Sequence, residues 1–309
     1  MRAAIIGELN GTPRVAEHAK PEPLHGHSLV EIVAGAIGPT DLMRASGTYK
    51  PPTFPYIVGG EGIGRLADGT RVYFGHSHPP FGALSEWTSV PDDEIWTIPD
   101  DIEDGLAIAL GISGTGALIP LEQAGIGPGE RVLILGATGP LGQIALQASR
   151  VLGAGTVIAA ARTRSALERM VALGHADDFV QLGTGDDQAA LKSKAGPGYD
   201  VVLDIVYGPP AEAAMRCTAI GGRMMSIGVQ AGNTVTLSLK DLVMRSHHGV
   251  GTGQRPVAER RAAYERLLRY GSDGRIKVDV MWFALDDAAD AWEAQRNSPG
   301  AKIIVTTGR

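Results

Sequence analysis

Residues 136–142 read Gly-Ala-Thr-Gly-Pro-Leu-Gly, a turn with glycines at three-residue intervals. The apolar run 131–135 precedes it and an amphipathic segment, 141–152, follows. In a strand–turn–helix setting such glycines let the chain reverse, let backbone approach a phosphate and let helix pack on strand. The N–H groups of the first helical turn then face an anion, aided by the helix dipole. The spacing is G-x-x-G-x-x-G rather than G-x-G-x-x-G, so the turn alone also fits a plain βα connection. Its context favours a dinucleotide. Gly136, Thr138, Gly139, Pro140, Leu141 and Gly142 are the phosphate-binding positions; Pro140 lacks an N–H but pre-sets the first turn.

The next apolar strand indicates which dinucleotide. An acid about 20 residues on would accept from the ribose 2′-hydroxyl of NAD. Here the strand ends Ala160-Ala161-Arg162-Thr163-Arg164, and the nearest acid is Glu168, inside the next helix. Guanidinium groups pair with phosphate in a fork. Arg162 and Arg164 therefore favour a 2′-phosphate, that is NADP(H) over NAD(H).

These positions need a parallel sheet to hold them, and the chain supplies its pattern. Up to about residue 100, short β-like runs alternate with dense Pro and Gly punctuation, the texture of a β-barrel. From about 101, strand runs at 131–135, 156–161, 177–182, 200–206 and 222–228 alternate with helical patterns. Nearly continuous apolar strands between helices mean a parallel sheet covered on both faces. The tail carries two amphipathic helices and a last strand, and reads as completing the first unit.

Bulk properties narrow the class. With 309 residues, 44% hydrophobic and 20% charged, the chain suits one large or two ordinary globular domains. A net charge of −6 gives no reason to expect nucleic acid or an anionic membrane as partner. Cys217 is the single cysteine, which excludes an internal disulfide and a Cys-rich zinc lobe. No signal peptide and no apolar run of about 18 residues is evident, so a reducing cytoplasm is the expected compartment. The pairs His25/His27 and His76/His78 have no carboxylate or Cys to complete a ligand set, so no metal is expected there.

The residues 133–180 closely resemble the cofactor domain of the medium-chain dehydrogenase/reductase superfamily. The resemblance extends over nearly the whole chain. Residues 36–49, AIGPTDLMRASGTY, resemble the N-x-x-D-x-x-x-R-x-G-x-Y segment of its quinone oxidoreductase branch, with Gly38 where Asn is usual. Residues 56–66, YIVGGEGIGRL, look like the G-H-E or G-x-E segment that follows. The resemblance implies an α/β fold, with a GroES-like β-barrel catalytic domain over 1–112 and 250–309 and a Rossmann domain over 113–249.

It also implies site residues. Val206, Tyr207, Ile227 and Gly228 approach the nicotinamide, with Ser113 nearby; Gly251 and Gly253 are a further close backbone approach. Tyr49 matches the Tyr of the R-x-G-x-Y segment and is the candidate donor to a substrate oxygen. Asp41 and Arg44 match neighbouring catalytic positions, or orient the loop. Where zinc enzymes of the superfamily carry ligands stand Pro39 and Gly60, neither able to bind zinc.

Without a Lewis acid, the fitting chemistry is hydride transfer from NADPH to a polarised acceptor, a quinone or α,β-unsaturated carbonyl. An enoyl thioester reductase and a non-catalytic NADPH-binding sensor are the alternatives. The resemblance implies a homodimer through the Rossmann sheet edge, which the alternating run 234–239 would supply.

Overall fold

The computed structural model describes residues 1–307, in two compact units. Met1–Ile112 together with the chain from Val278 form one, and Ser113–Lys277 the other.

The first unit opens with β1 (Arg2–Ile6), β2 (Arg14–Glu17) and β3 (His27–Ile37), then helix α1 (Pro39–Ala45). It continues through β4 (Tyr56–Ile57), β5 (Glu61–Arg65), β6 (Arg71–Phe74), β7 (Trp87–Pro91), β8 (Ile95–Thr97) and helix α2 (Asp104–Ala109). β1 pairs antiparallel with β2 and β4, while the long β3 pairs with β5 and β7, and β6 links β5 to β8. Alternate residues of β3 reach the core: Val30 and Ile32 pack with Val72, Phe74, Ala83 and Val90. Chains cross so closely here that a β-carbon on Gly35 would lie 2.3 Å from the Ala83 carbonyl oxygen.

The second unit contains α3 (Thr115–Ala124), β9 (Arg131–Leu135), α4 (Pro140–Val151), β10 (Thr156–Ala161), α5 (Arg164–Ala172) and β11 (Asp178–Gln181). It continues with α6 (Asp187–Ala195), β12 (Tyr199–Asp204), α7 (Gly208–Cys217), β13 (Thr218–Ser226), α8 (Leu239–Leu242), β14 (Ser246–Gly249) and α9 (Val257–Ser272). The sheet is wholly parallel, in the order β11-β10-β9-β12-β13-β14. Its strands are apolar because both faces are covered: Val132, Leu133, Ile134 and Leu135 are all fully buried. Order reverses at β9, the place where open α/β sheets take ligands beyond their carboxyl ends.

Two expectations change. The boundary falls after Lys277 rather than before residue 250, because α9 packs on α3, where Arg266 forms a bidentate pair with Glu122 at 2.7–2.8 Å. The run 234–239 is not a strand; residues 232–238 are irregular, and β14 takes the sheet edge. The stretch Asp104–Ala124 is long and apolar enough by composition to span a membrane, yet 78% of its apolar 18-residue segment is buried, as in a core helix. Gly111 also breaks its helical path, at ψ −110°.

The tail returns to the first unit as β15 (Val280–Ala284), α10 (Ala288–Arg296) and β16 (Lys302–Thr306). β16 lies antiparallel to β3 and parallel to β15. Only 4% of the Lys302 surface is exposed; its ammonium meets the equally buried Glu61 at the start of β5. The other Glu61 oxygen accepts from the Tyr73 hydroxyl at 2.6 Å and the Ile112 N–H at 2.8 Å. Removing one partner of such a pair leaves a buried charge uncompensated. Lys302→Met is therefore expected to cost about 3 kcal/mol or more of unfolding free energy in urea titration. A loss under about 1 kcal/mol would show that the pair behaves as a surface one.

Candidate dinucleotide site

Strand register brings the sequence motifs to one edge. Leu135 pairs with Ala160 and with Asp204, Asp204 with Ser226, and Ser226 with Gly249. The segments starting at Gly136, Arg162, Ile205, Ile227 and Val250 therefore all leave the sheet on its carboxyl side.

The glycine turn is locked from within. Gly136 has φ +84°, and its N–H and that of Ala137 both donate to the Ala160 carbonyl, at 2.8 and 3.1 Å. The Gln143 side-chain amide donates to the Thr138 carbonyl at 3.1 Å. A β-carbon on Gly142 would lie 2.3 Å from the Gly136 oxygen, so α4 can pack here only with glycine. Gly139, its N-cap, would meet nothing within 4 Å. No side chain caps this end of α4 and no acid lies in its first turn, so its N–H groups face an open cradle. Thr138, Gly139, Pro140 and Leu141 are half-buried around it.

At the end of β10, Arg162 is exposed, and its guanidinium makes no hydrogen bond or ion pair among the described residues. α5 begins just beyond, also without an acid in its first turn. Arg164 differs: it pairs with Glu168 at 2.8 Å, with its Cζ 5.5 Å from the Phe179 ring centroid. A 2′-phosphate thus fits Arg162 first.

Beyond β12 and β13, Gly228 approaches so closely that a β-carbon would lie 1.9 Å from the Ile205 oxygen. Val206, Tyr207 and Ile227 are half-buried beside it. Sequence reasoning missed what organises them. The fully buried Asp204 carboxylate accepts from the N–H groups of Val206 at 3.0 Å and Tyr207 at 2.8 Å. Its other oxygen accepts from the Ser226 hydroxyl at 2.7 Å, and Ser226 Oγ lies 2.9 Å from His247 Nε2. Burial raises the Asp204 carboxyl above its ordinary range, against these hydrogen bonds. Burial also lowers the His247 imidazole, with Asp204 opposing, so the ring is neutral near pH 7. One signal was available: Asp204 is an acid within an otherwise apolar strand end.

Gly251 and Gly253 lie at the 3₁₀ turn Thr252–Gln254, both exposed, and Gly253 would accept a β-carbon freely. Ser113, half-buried, opens this unit. Cys217 is buried, with burial raising its thiol.

In the other unit, α1 carries Asp41 and Arg44. Asp41 Oδ2 accepts from the Gly38 N–H at 2.8 Å, which fixes the start of α1. Gly60 leaves room opposite: its β-carbon would sit 3.5 Å from Asp41 Oδ1. Arg44 Nε and the Tyr56 hydroxyl are buried with no hydrogen bond among the described residues, the guanidinium 6.0 Å from the Tyr56 ring. Tyr49 is 37% exposed, with the Lys50 ammonium 5.5 Å from its ring centroid. His27 and His78 meet edge to face at 5.0 Å. Among the described residues no three His, Cys, Asp or Glu side chains cluster as a metal site.

Comparison with known proteins shows what the chain is similar to. Residues 140–269 match the family described as zinc-binding dehydrogenase. Quinone oxidoreductase-like protein 2 of Bos taurus is 26% identical, the match covering 98% of this chain and 92% of that protein. The quinone oxidoreductase of Thermus thermophilus, solved also as its complex with NADPH, is 27% identical and superposes with a TM-score of 0.84, covering 99% and 100% of the two chains. These likenesses support placing the chain in the medium-chain dehydrogenase/reductase superfamily, in its quinone oxidoreductase-like branch. Its units are the GroES-like and Rossmann domains of that superfamily. The acryloyl-coenzyme A reductase of Metallosphaera sedula is also similar, 24% identical over 99% of this chain and 100% of that one. Although the family description names zinc, Pro39 and Gly60 offer no ligand atoms at the superfamily's positions.

Burial pushes the Asp41 carboxyl from 3.8 up to about 6, against the pull of the Gly38 N–H, Lys302 and Arg44. A carboxyl raised in the folded state contributes stability that is full below about pH 4 and lost as pH rises through about 6. Asp41→Asn stays neutral. Its stability relative to wild type is therefore expected to rise between pH 4 and 7, by on the order of 2 kcal/mol, in urea titrations. A pH-independent difference would mean that burial does not penalise this carboxylate.

Proposed function

We propose that this oxidoreductase is an NADPH-dependent reductase that delivers hydride, without zinc, to a quinone or α,β-unsaturated carbonyl. The observation that carries the reading is the carboxyl edge of the Rossmann sheet. An open α4 N-terminus adjoins the exposed cation Arg162, where an NAD site would hold an acid.

In this reading the N–H groups of Leu141 and Gly142 take the pyrophosphate, and the Gly136–Gly139 backbone lies alongside it. Arg162 takes the 2′-phosphate. Arg164, tied to Glu168, adds positive field. Val206, Tyr207, Ile227 and Gly228 border the other nucleoside, with Ser113, Gly251 and Gly253 contributing by resemblance. When bound, NADPH supplies the hydride. Transfer to carbon leaves an electron pair on the acceptor oxygen as an enolate or hydroquinone anion, which a proton then neutralises. Tyr49 is the proton or hydrogen-bond donor assigned to that oxygen. Asp41 and Arg44 hold the segment that carries it, Asp41 through the Gly38 N–H that its Oδ2 accepts.

The likeness to acryloyl-coenzyme A reductase favours a second reading, in which the acceptor is an enoyl thioester. The two share the hydride step and differ in the acceptor.

The test follows NADPH and NADH oxidation against 1,4-benzoquinone, 9,10-phenanthrenequinone, 2-alkenals and acryloyl-coenzyme A. Turnover is expected with NADPH and a quinone or enal, and Arg162→Ala is expected to lower kcat/KM for NADPH about 10–100-fold while leaving NADH nearly unchanged. Turnover confined to the thioester would establish the second reading. NADPH binding without any turnover would favour a sensor.

We also propose a cytoplasmic homodimer joined along β14. Around this edge Ile220, Leu239, Val243 and Met244 are 72%, 77%, 66% and 53% exposed, an unusual concentration of bare apolar surface. Light scattering is expected to give twice the 32.3 kDa chain mass, and Leu239→Glu with Met244→Glu to give monomers. A monomeric wild type would contradict the dimer.

A further inference from the structure

The far end of α4 opens on a second hollow, away from the glycine turn that begins the helix. It measures about 440 Å³, and among the described residues no acid lines it. α4 has 12 residues, which sets the hollow about 18 Å along the helix axis from Gly139. Three helix ends border it. Arg150 and Val151 close α4, Leu173 and His175 follow α5, and Arg275 and Lys277 follow α9.

The helix dipole explains part of this charge, since each helix end carries about half a negative charge and favours a cation. Arg150 has a partner as well: its guanidinium pairs with Asp177 at 2.6 Å, and the other Asp177 oxygen accepts from the Val157 N–H at 2.7 Å. Arg275 and Lys277 differ. Both are exposed, and the charged group of neither meets an acid among the described residues. Lys277 also stands well beyond Asp273, the C-cap of α9, so the dipole gives no reason for it.

The backbone beneath these two cations is fixed. Gln147, only 7% exposed, donates to the Lys277 carbonyl at 2.7 Å and accepts from its N–H at 2.9 Å. The Arg275 N–H donates to the Tyr270 carbonyl at 2.8 Å, and its guanidinium carbon lies 5.0 Å from the Tyr270 ring centroid. Two cations without acids are thus presented to one hollow on a preorganised backbone, and their mutual repulsion is relieved when an anion joins them. Val151 and Leu173, the latter 50% exposed, give the same hollow an apolar wall.

We propose that this hollow is a second anion site, for the phosphate monoester of a small organic molecule. The phosphate takes Arg275 and Lys277, with Arg150 adding a weaker pull, and the organic body covers Leu173 and Val151. The volume suits such a molecule rather than a bare ion. The proposal is independent of the dinucleotide reading, which concerns the opposite end of α4.

The test is calorimetry on the full-length protein with phenyl phosphate, inorganic phosphate and phenol. Phenyl phosphate is expected to bind saturably and more tightly than inorganic phosphate, with no measurable binding of phenol. Arg275→Ala with Lys277→Ala is expected to fold, because the clamp from Gln147 uses backbone groups alone, and to weaken phenyl phosphate about 10-fold or more. Leu173→Ser is expected to bring phenyl phosphate down to the affinity of inorganic phosphate. Arg162→Ala, at the distant anion position, is expected to leave it within about twofold. No saturable binding by the wild type, or unchanged affinity in the double variant, would overturn the proposal. Equal affinity for the two phosphates in the wild type would mean an adventitious ion only and would overturn it too. So would loss of binding in Arg162→Ala, which would put the probe at the dinucleotide turn.

Discussion

A β-carbon at residue 142 would stand 2.3 Å from the Gly136 carbonyl oxygen, and the candidate site depends on that closeness. Because both positions are glycine, α4 starts directly on the end of β9 with its first N–H groups uncapped. The flanking β10 contributes Arg162 and the flanking β12 contributes Asp204, each by parallel register with the same strand. An anion cradle, a cation and a buried carboxylate thus meet at one sheet edge through backbone geometry alone. The side chains then determine which dinucleotide that edge suits.

Two buried carboxylates, one in each unit, organise the backbone around them, and they do so differently. Glu61 is neutralised by Lys302 and accepts from the Tyr73 hydroxyl and the Ile112 N–H, so the last strand is tied across β3 to β5 of the same sheet. Asp204 has no such cation among the described residues; it is satisfied by two backbone N–H groups and a hydroxyl, with a neutral imidazole behind. The first arrangement fixes a strand. The second holds the turn at Tyr207, where φ is +57°, in a backbone conformation that it would otherwise leave.

The parts legible in the sequence were those with local cause. Runs such as Val132–Leu135 must be parallel strands because both faces are buried, and the glycine turn followed by arginine carries its chemistry in residue type. What escaped depended on partners distant in sequence. The charged helix α9 shows an apolar stripe but not which core it covers; its pairing of Arg266 with Glu122 decides that. The alternating run 234–239 has strand texture, yet residues 246–249 took the place beside β13. Asp204 and His247 are 43 positions apart in sequence, and only the register places them with Ser226 between them. Asp41 was read either as catalytic or as loop-orienting, and its bond to the Gly38 N–H supports the latter.

The most direct measurement is a crystal structure of the protein with NADPH bound. The account requires the pyrophosphate on the N–H groups that begin α4 and the 2′-phosphate within hydrogen-bond reach of the Arg162 guanidinium. A dinucleotide seated away from the Gly136–Gly142 turn, or a 2′-phosphate turned to solvent with Arg162 uninvolved, would contradict it.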